Sequence, residues 1–243
     1  IYLNMNKRKI KALIFDVFGT VVDWRSSIKK GLRNFLPQNI SEDELETFAI
    51  EWRSGYSEYL NNFNAGKEVW KKIDEVHLEK LNIILKNRNL SKYLNNKEII
   101  EINLLWHKLD PWPDTVEGLR RLKNKFSIGT LSNGNFSLLL NMSKNADLNW
   151  DFIFSGDIFK KYKPNPYVYK KACEYLDLSS SEVALVAAHE NDLLAAKDAG
   201  LKTIYVERMS EFNTYKQPNN INLFDFLALK SVYGAQNFRT AYG

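Results

Sequence analysis

Lys11-Ala12-Leu13-Ile14-Phe15-Asp16-Val17-Phe18-Gly19-Thr20-Val21-Val22-Asp23 begins as an apolar, partly β-branched run and ends in a carboxylate followed by a glycine turn. Residues 12–15 carry no polar side chain, the pattern of a strand covered on both faces. Asp16 stands where that strand meets the turn. In open α/β sheets, ligand sites lie outside the carboxyl ends of the strands, which places this carboxylate for chemistry. On this segment alone the alternative is a helix N-cap or turn aspartate.

Downstream the period changes, and residues 24–109 read as helix. Residues 26–36 put Ile28, Leu32, Phe35 and Leu36 on one face, with Pro37 as the stop. Ser41 and Glu44 have capping-box spacing and open a longer helix carrying Leu45, Phe48, Trp52, Tyr56 and Tyr59 at helical intervals. Two further repeats run through Trp70–Leu85 and Ile99–Leu109 positions. His77, on an apolar face, and His107 read as structural. From Asp110 the signals alternate. Short apolar strands are predicted at 127–131, 152–155, 183–187 and 203–206, with helices at 116–123, 136–145, 166–176 and 192–199 between them. Asp114 with Glu117 is expected to cap the first of these helices, and Gly200 to close the last. Alternation of this kind implies parallel strands with crossover helices. The expected fold is therefore α/β: a doubly wound, Rossmann-like parallel sheet with an inserted all-helical cap domain. The predicted core domain comprises residues 1–23 and 113–243, and the cap 24–112. A short helix is expected at 223–229, and the sequence does not fix the origin of residues 1–4, which precede Met5.

A chain of 243 residues, 44% hydrophobic and 26% charged, has the composition of a globular protein. The net charge of +5 comes from scattered basic residues, which suits a small anionic substrate and gives no clustered stripe for nucleic acid. The single cysteine, Cys173, has no internal disulfide partner and reads as a buried thiol in a reducing compartment. No apolar run approaches the ~20 residues of a membrane span. The expectation is a cytoplasmic protein with neither membrane nor nucleic-acid partner.

Polar residues at four strand ends could converge on one site: Asp16 and Thr20; Ser132, Asn133 and Gly134; Lys163; and His189 with Asp192. Each alone also reads as a turn, a solvated lysine or a helix N-terminal charge. Their joint order, Asp-x-Phe-Gly-Thr, Ser-Asn-Gly, Lys-Pro and a final Asp, resembles the haloacid dehalogenase superfamily, and within it the L-2-haloacid (type II 2-haloacid) dehalogenases, over nearly the whole chain. The resemblance implies Asp16 as nucleophile, with Thr20 a hydrogen-bonding partner. It implies Arg53 as the cap cation that receives halide. Ser132 and Asn133 match the positions that hold substrate carboxylate and orient the nucleophile, Lys163 and Tyr169 those beside the nucleophile, and Asp192 the acid that helps break the ester. Phe18 and Trp24 are assigned to substrate binding, and Trp52 and Tyr56 read equally as pocket wall or core. One departure is Ala187-Ala188-His189, where the family often has Ser-Ser-Asn. His189 then reads either as a water-positioning group or as a supporting histidine.

Phosphatases of this superfamily resemble Asp-x-Asp, whose second Asp protonates the leaving alkoxide. Here that position is Phe18. A halide leaves without a proton and needs no such acid. The family position of an additional metal-binding Asp falls on Ala188, depriving a hard cation of an oxygen ligand. The expected activity is metal-independent, cofactor-free hydrolysis of short L-2-haloalkanoic acids to D-2-hydroxy acids, with the haloacid and water as partners and a homodimer as the assembly the resemblance suggests. The alternatives are a phosphatase or phosphonate hydrolase on the same fold, or a non-catalytic binding member.

Overall fold

The computed structural model describes residues 10–208 and Glu211; the helix expected at 223–229 and residues 1–4 lie outside them. The chain runs through β1 (Ala12–Phe15), β2 (Val22–Asp23), α1 (Trp24–Leu32), α2 (Glu42–Asn64), α3 (Ile73–Asn87) and α4 (Asn96–Asn103). After a 3₁₀ turn at Leu104–His107 come β3 (Asp110–Pro111), α5 (Thr115–Lys123), β4 (Ser127–Leu131), α6 (Phe136–Asn145) and β5 (Phe152–Phe154). The last elements are α7 (Gly156–Phe159), α8 (Pro166–Tyr175), β6 (Val183–Ala187), α9 (Glu190–Asp198) and β7 (Lys202–Tyr205).

Five strands form one parallel sheet in the order β5-β4-β1-β6-β7. The chain builds outward from β1 to β4 and β5, then returns to the other side of β1 for β6 and β7. The order thus reverses at β1, the place where an open α/β sheet leaves a crevice. Successive side chains of β1 serve opposite faces. Leu13 and Phe15 pack into the cluster holding Leu119, Leu122, Leu138 and Met142, while Ala12 and Ile14 join Val168, Ala172, Leu193 and Ala196. Helices α5 and α6 therefore cover one face and α8 and α9 the other, which is why residues 12–15 carry no polar side chain. The first cluster continues through Trp24, Phe48, Trp52, Leu81 and Trp106, so the inserted helices share an unbroken apolar core with one sheet face. No helix among the described residues is long and apolar enough to cross a membrane.

Several elements differ from the sequence expectation. The predicted helix at 26–36 is α1, which starts at Trp24 because Asp23 caps it by accepting from Ser26 N, and it ends well before Pro37. The Ser41–Glu44 capping box is present at α2, and Asn95 with Glu98 forms a second one that starts α4 earlier than its apolar repeat suggests. Residues 22–23 and 110–111 pair as a two-stranded antiparallel ribbon at the entrance and exit of the helical insertion. Asp114 occupies the N-cap position of α5 without capping it, because its carboxylate takes Arg208 Nη1 at 2.8 Å instead. Gly200, with φ +92°, closes α9 in the left-handed region as expected.

Candidate active site

The carboxyl ends of β1, β4 and β6 place the candidate residues around one cavity of about 540 Å³. Asp16 extends the ladder past β1, its N–H donating to Val186 O, and then the chain turns at Gly19, φ +82°. That turn folds Thr20 back under the carboxylate. The threonine hydroxyl donates to Asp16 Oδ2 at 2.8 Å and accepts the N–H of Ala188 at 2.9 Å, which fixes its direction. Lys163 Nζ donates to Asp16 Oδ1 at 3.0 Å and also to Asp192 Oδ2, whose other oxygen accepts Tyr169 OH at 2.5 Å.

His189 is the N-cap residue of α9 but makes no cap bond with its side chain. The imidazole turns instead to Asp16 Oδ2, 2.9 Å from Nδ1, and presents Nε2 to both oxygens of Glu211 at 3.2 and 3.1 Å. Glu211 is almost fully buried, held by Trp24 Nε1 at 2.9 Å and, through its carbonyl, by Arg25 at 3.1 Å. Its carboxylate packs on Gly19, where an added Cβ would come within 2.0 Å of Oε1. Gly19 therefore serves both the positive φ and the close approach.

Asn133 clamps the loop that carries Lys163. Its Oδ1 accepts Lys163 N at 2.7 Å, and its Nδ2 donates to Lys163 O at 3.1 Å and to Tyr56 OH at 2.8 Å. This amide is committed within the protein, so it positions rather than contacts a ligand. Ser132 Oγ accepts Gly134 N at 3.2 Å, which leaves its own proton to donate into the cavity. Across the cavity the Arg53 guanidinium carbon lies 4.1 Å from the Tyr56 ring centroid, 5.6 Å from Phe18 and 5.9 Å from Trp24. Arg53 has no carboxylate partner among the described residues. A cation caged by aromatic faces and left unpaired is prepared for an anion.

Charge balance dominates the protonation states. Burial alone would raise the Asp16 carboxyl, but the Lys163 ammonium and the hydrogen bond and charge of His189 outweigh it and hold the group below the usual carboxylate range. Burial opposes charge on His189, yet its hydrogen bonds to Asp16 and Glu211 push it up to about 10. Lys163 is likewise raised against its desolvation by Asp16 and Asp192. Asp192 is raised by burial. Burial also raises the Tyr56 hydroxyl, keeping its proton. His77 stays neutral, held well below its ordinary value by burial and then by Arg53.

Asp16, Phe18, Arg53, Ser132, Asn133, Lys163, His189 and Asp192 all line the cavity. Thr20 lies beneath Asp16. Two residues assigned to substrate binding sit elsewhere: Trp24 stands behind Arg53 and against Glu211, and Tyr169, fully buried, touches Asp192 from outside the cavity. Trp52 is core, its indole bonded to His77 O, whereas Tyr56 is wall. Sequence reasoning missed Glu211. The usable signal was position, since β7 is one more strand whose carboxyl end points at the crevice.

The donor set does not fit a hard divalent cation. The Lys163 ammonium occupies the space between Asp16 and Asp192 where a cation would need their oxygens, and Ala188 has no side-chain oxygen to add. Among the described residues no three His, Cys, Asp or Glu side chains group as metal ligands.

A family model for haloacid dehalogenase-like hydrolases matches residues 10–200. (S)-2-haloacid dehalogenase 1 of Pseudomonas sp. strain CBS-3 is 29% identical over 216 residues, covering 85% of this chain and 88% of that protein. The solved structure of the defluorinating L-2-haloacid dehalogenase Rha0230 superposes with a TM-score of 0.80 at 38% identity, covering 86% of this chain and 85% of that one. That of the L-2-haloacid dehalogenase PA0810 does so with a TM-score of 0.76 at 38% identity, covering 83% and 86%.

Proposed function

The chain belongs to the haloacid dehalogenase-like hydrolases and, within them, to the L-2-haloacid dehalogenases, and from that premise we propose that it hydrolyses short (S)-2-haloalkanoic acids to D-2-hydroxy acids through an ester on Asp16. The observation that carries the proposal is one cavity with an ionised, buried carboxylate on its floor and, in its wall, an aromatic-caged cation that has no carboxylate partner among the described residues.

In the first step an Asp16 oxygen attacks C2 from the side opposite the halogen, inverting that carbon. Among the described residues Oδ1 has a single partner, Lys163, and keeps a lone pair for the carbon, while Oδ2 is occupied by Thr20 and His189. Arg53 takes up the halide in surroundings of low polarity, where its charge acts most strongly. Ser132 O–H holds the substrate carboxylate. In the second step water attacks the ester carbonyl carbon. The resting imidazolium of His189 is stabilised by two carboxylates, and esterification removes the charge of one. His189 then releases its Nδ1 proton to solvent and becomes a base for water, with Glu211 holding Nε2–H and orienting the ring. Thr20 O–H meets the charge that grows on Oδ2. Asp192 and Tyr169 keep Lys163 in place. Cleavage of the Cγ–Oδ1 bond expels the alkoxide, which takes a proton from Lys163 beside Oδ1; Lys163 regains one from the new carboxyl, so Asp16 returns as a carboxylate and the hydroxy acid is freed.

We further take residues 24–112 to be the cap over a core of 1–23 and 113–243. The protein is proposed to act in the cytoplasm as a homodimer, with no nucleic-acid or membrane partner and no cofactor; light scattering tests the assembly.

Halide release from (S)-2-chloropropionate in the presence of a chelator tests the activity, with Asp16→Asn expected to abolish it. A single turnover in ¹⁸O water should label Asp16 and leave the first product unlabelled. Magnesium-dependent phosphate release in place of halide release would assign the site to phosphoryl transfer.

A further inference from the structure

Helix α2 supplies the cavity wall from one continuous face. Arg53, Tyr56, Ser57, Leu60, Asn61 and Asn64 line it, recurring once per turn at the i, i+3, i+4 positions of one helix face. At the helical rise this stripe covers about 16 Å, of which Ser57 to Asn64 accounts for about 10 Å. A two- or three-carbon haloacid placed between Asp16 and Arg53 engages only the first turn. The cavity of about 540 Å³ is several times larger than such a molecule and falls in the range that encloses drug-sized ligands.

Displacement chemistry decides which substituent reaches the rest. Nucleophile, C2 and halogen lie on one axis, from Asp16 to Arg53, and the other three groups on C2 radiate around it. The carboxylate goes to Ser132, and the side of His189 and Glu211 is where water must enter. The carbon chain is left to run along α2 opposite Pro164. Every charged residue of the cavity belongs to the reacting cluster, and the outer half is neutral. The side chains of Ser57, Asn61 and Asn64 make no hydrogen bond to other described residues, so their donors and acceptors are open to a ligand. Apolar surface there is limited to Leu60 and Pro164, too little to reward a plain alkyl tail with full methylene burial.

Resting on the dehalogenase reading above, we infer that this half of the cavity is a tail subsite selecting 2-haloacids whose chain ends in a neutral hydrogen-bonding group, a hydroxyl or amide, about four carbons beyond C2.

The test compares (S)-2-bromo-6-hydroxyhexanoate, (S)-2-bromohexanoate and (S)-2-bromopropionate. The hydroxyl tail should raise kcat/KM over the alkyl tail by about three- to tenfold, the worth of one or two net hydrogen bonds. In Asn61→Leu/Asn64→Leu, on exposed positions, the order of these two substrates should reverse. Calorimetry with the products (R)-2,6-dihydroxyhexanoate and (R)-2-hydroxyhexanoate reads the subsite without turnover and should give the same ratio in affinity. Equal kcat/KM and equal product affinity for the two tails in wild type, or a preference that survives the double substitution, overturns the subsite. If none of the three bromoacids turns over, the dehalogenase reading fails, and calorimetry alone then decides the subsite.

Discussion

The imidazole of His189 spans two carboxylates, its Nδ1 2.9 Å from Asp16 Oδ2 and its Nε2 3.1 Å from Glu211 Oε2. Both contacts are hydrogen bonds only when both nitrogens carry protons, so the resting ring is an imidazolium. Esterification of Asp16 removes half of what holds that charge. Glu211→Gln leaves the first step intact, because Lys163 and Thr20 still hold Asp16, and it deprives the second step of an oriented base. The expected result is a fall in kcat of about 10²-fold, with a 1-carboxyethyl ester on Asp16 visible by mass spectrometry of enzyme acid-quenched during turnover of 2-chloropropionate. Loss of activity without any adduct would place Glu211 outside ester hydrolysis.

The same bridge ties stability to pH. His189 is raised to about 10 in the folded protein from an ordinary 6.5, so its contribution is complete below pH 6.5, declines as pH rises and is gone above about 10. Asp16, held below the usual carboxylate range, contributes with the opposite sign, losing its stabilisation only in strong acid. Between pH 6.5 and 10 wild type should therefore lose about 2–3 kcal/mol more than His189→Gln, after allowance for solvent reaching the ring. Urea unfolding at several pH values measures the difference, and parallel curves for the two proteins would contradict it.

Much of this was legible from local sequence. The bounds of β4, α6 and β6 follow from apolar runs bordered by turn residues, and the convergence of Asp16, Lys163 and His189 follows from strand-end logic on an alternating pattern. What escaped depends on partners distant in sequence. Two-residue strands such as β2 and β3 leave no period to detect, and their pairing joins residues across the whole helical insertion. Asp114 has the local pattern of a cap, and only the return of Arg208 beside it shows a stronger partner. The aromatic character of Trp24 and Tyr169 announces burial without saying which side they face. Glu211 carries no motif and gains meaning only when the chain folds back over Gly19.

Tyr56 accepts the amide proton of Asn133, so its own hydroxyl proton is directed elsewhere, and it lines the cavity beside Ser132 and Asn133. A second donor to the substrate carboxylate is the role that position suits. Because the carboxylate does not change in the displacement, its loss affects ground and transition states alike. Tyr56→Phe should raise KM for 2-chloropropionate and 2-bromopropionate by about three- to tenfold with kcat nearly constant. An effect on kcat that grows from bromide to chloride would assign the hydroxyl to the leaving group instead.

Asp74, at the start of α3, joins the inserted helices to the loop that carries Ser132. Its carboxylate accepts Asn135 Nδ2 at 2.8 Å and His107 Nε2 at 3.0 Å, while His107 Nδ1 takes the amide of Asn141 on α6 at 3.0 Å. Asn135 and His107 are almost fully buried, so removing the carboxylate strands two donors away from water. Asp74→Ala is expected to cost about 2–3 kcal/mol, lowering Tm by about 5–10 °C. Asp74→Asn, which keeps one acceptor oxygen, should recover about half of that. Since Asn135 follows directly on the Ser132-Asn133-Gly134 turn, the alanine variant should also lose kcat below its Tm through a loosened Ser132, about tenfold. Thermal unfolding alongside steady-state kinetics at 25 °C separates the two effects. An unchanged Tm would show that the shared apolar core, with bonds such as Asn133–Tyr56, holds the inserted helices over the sheet without Asp74.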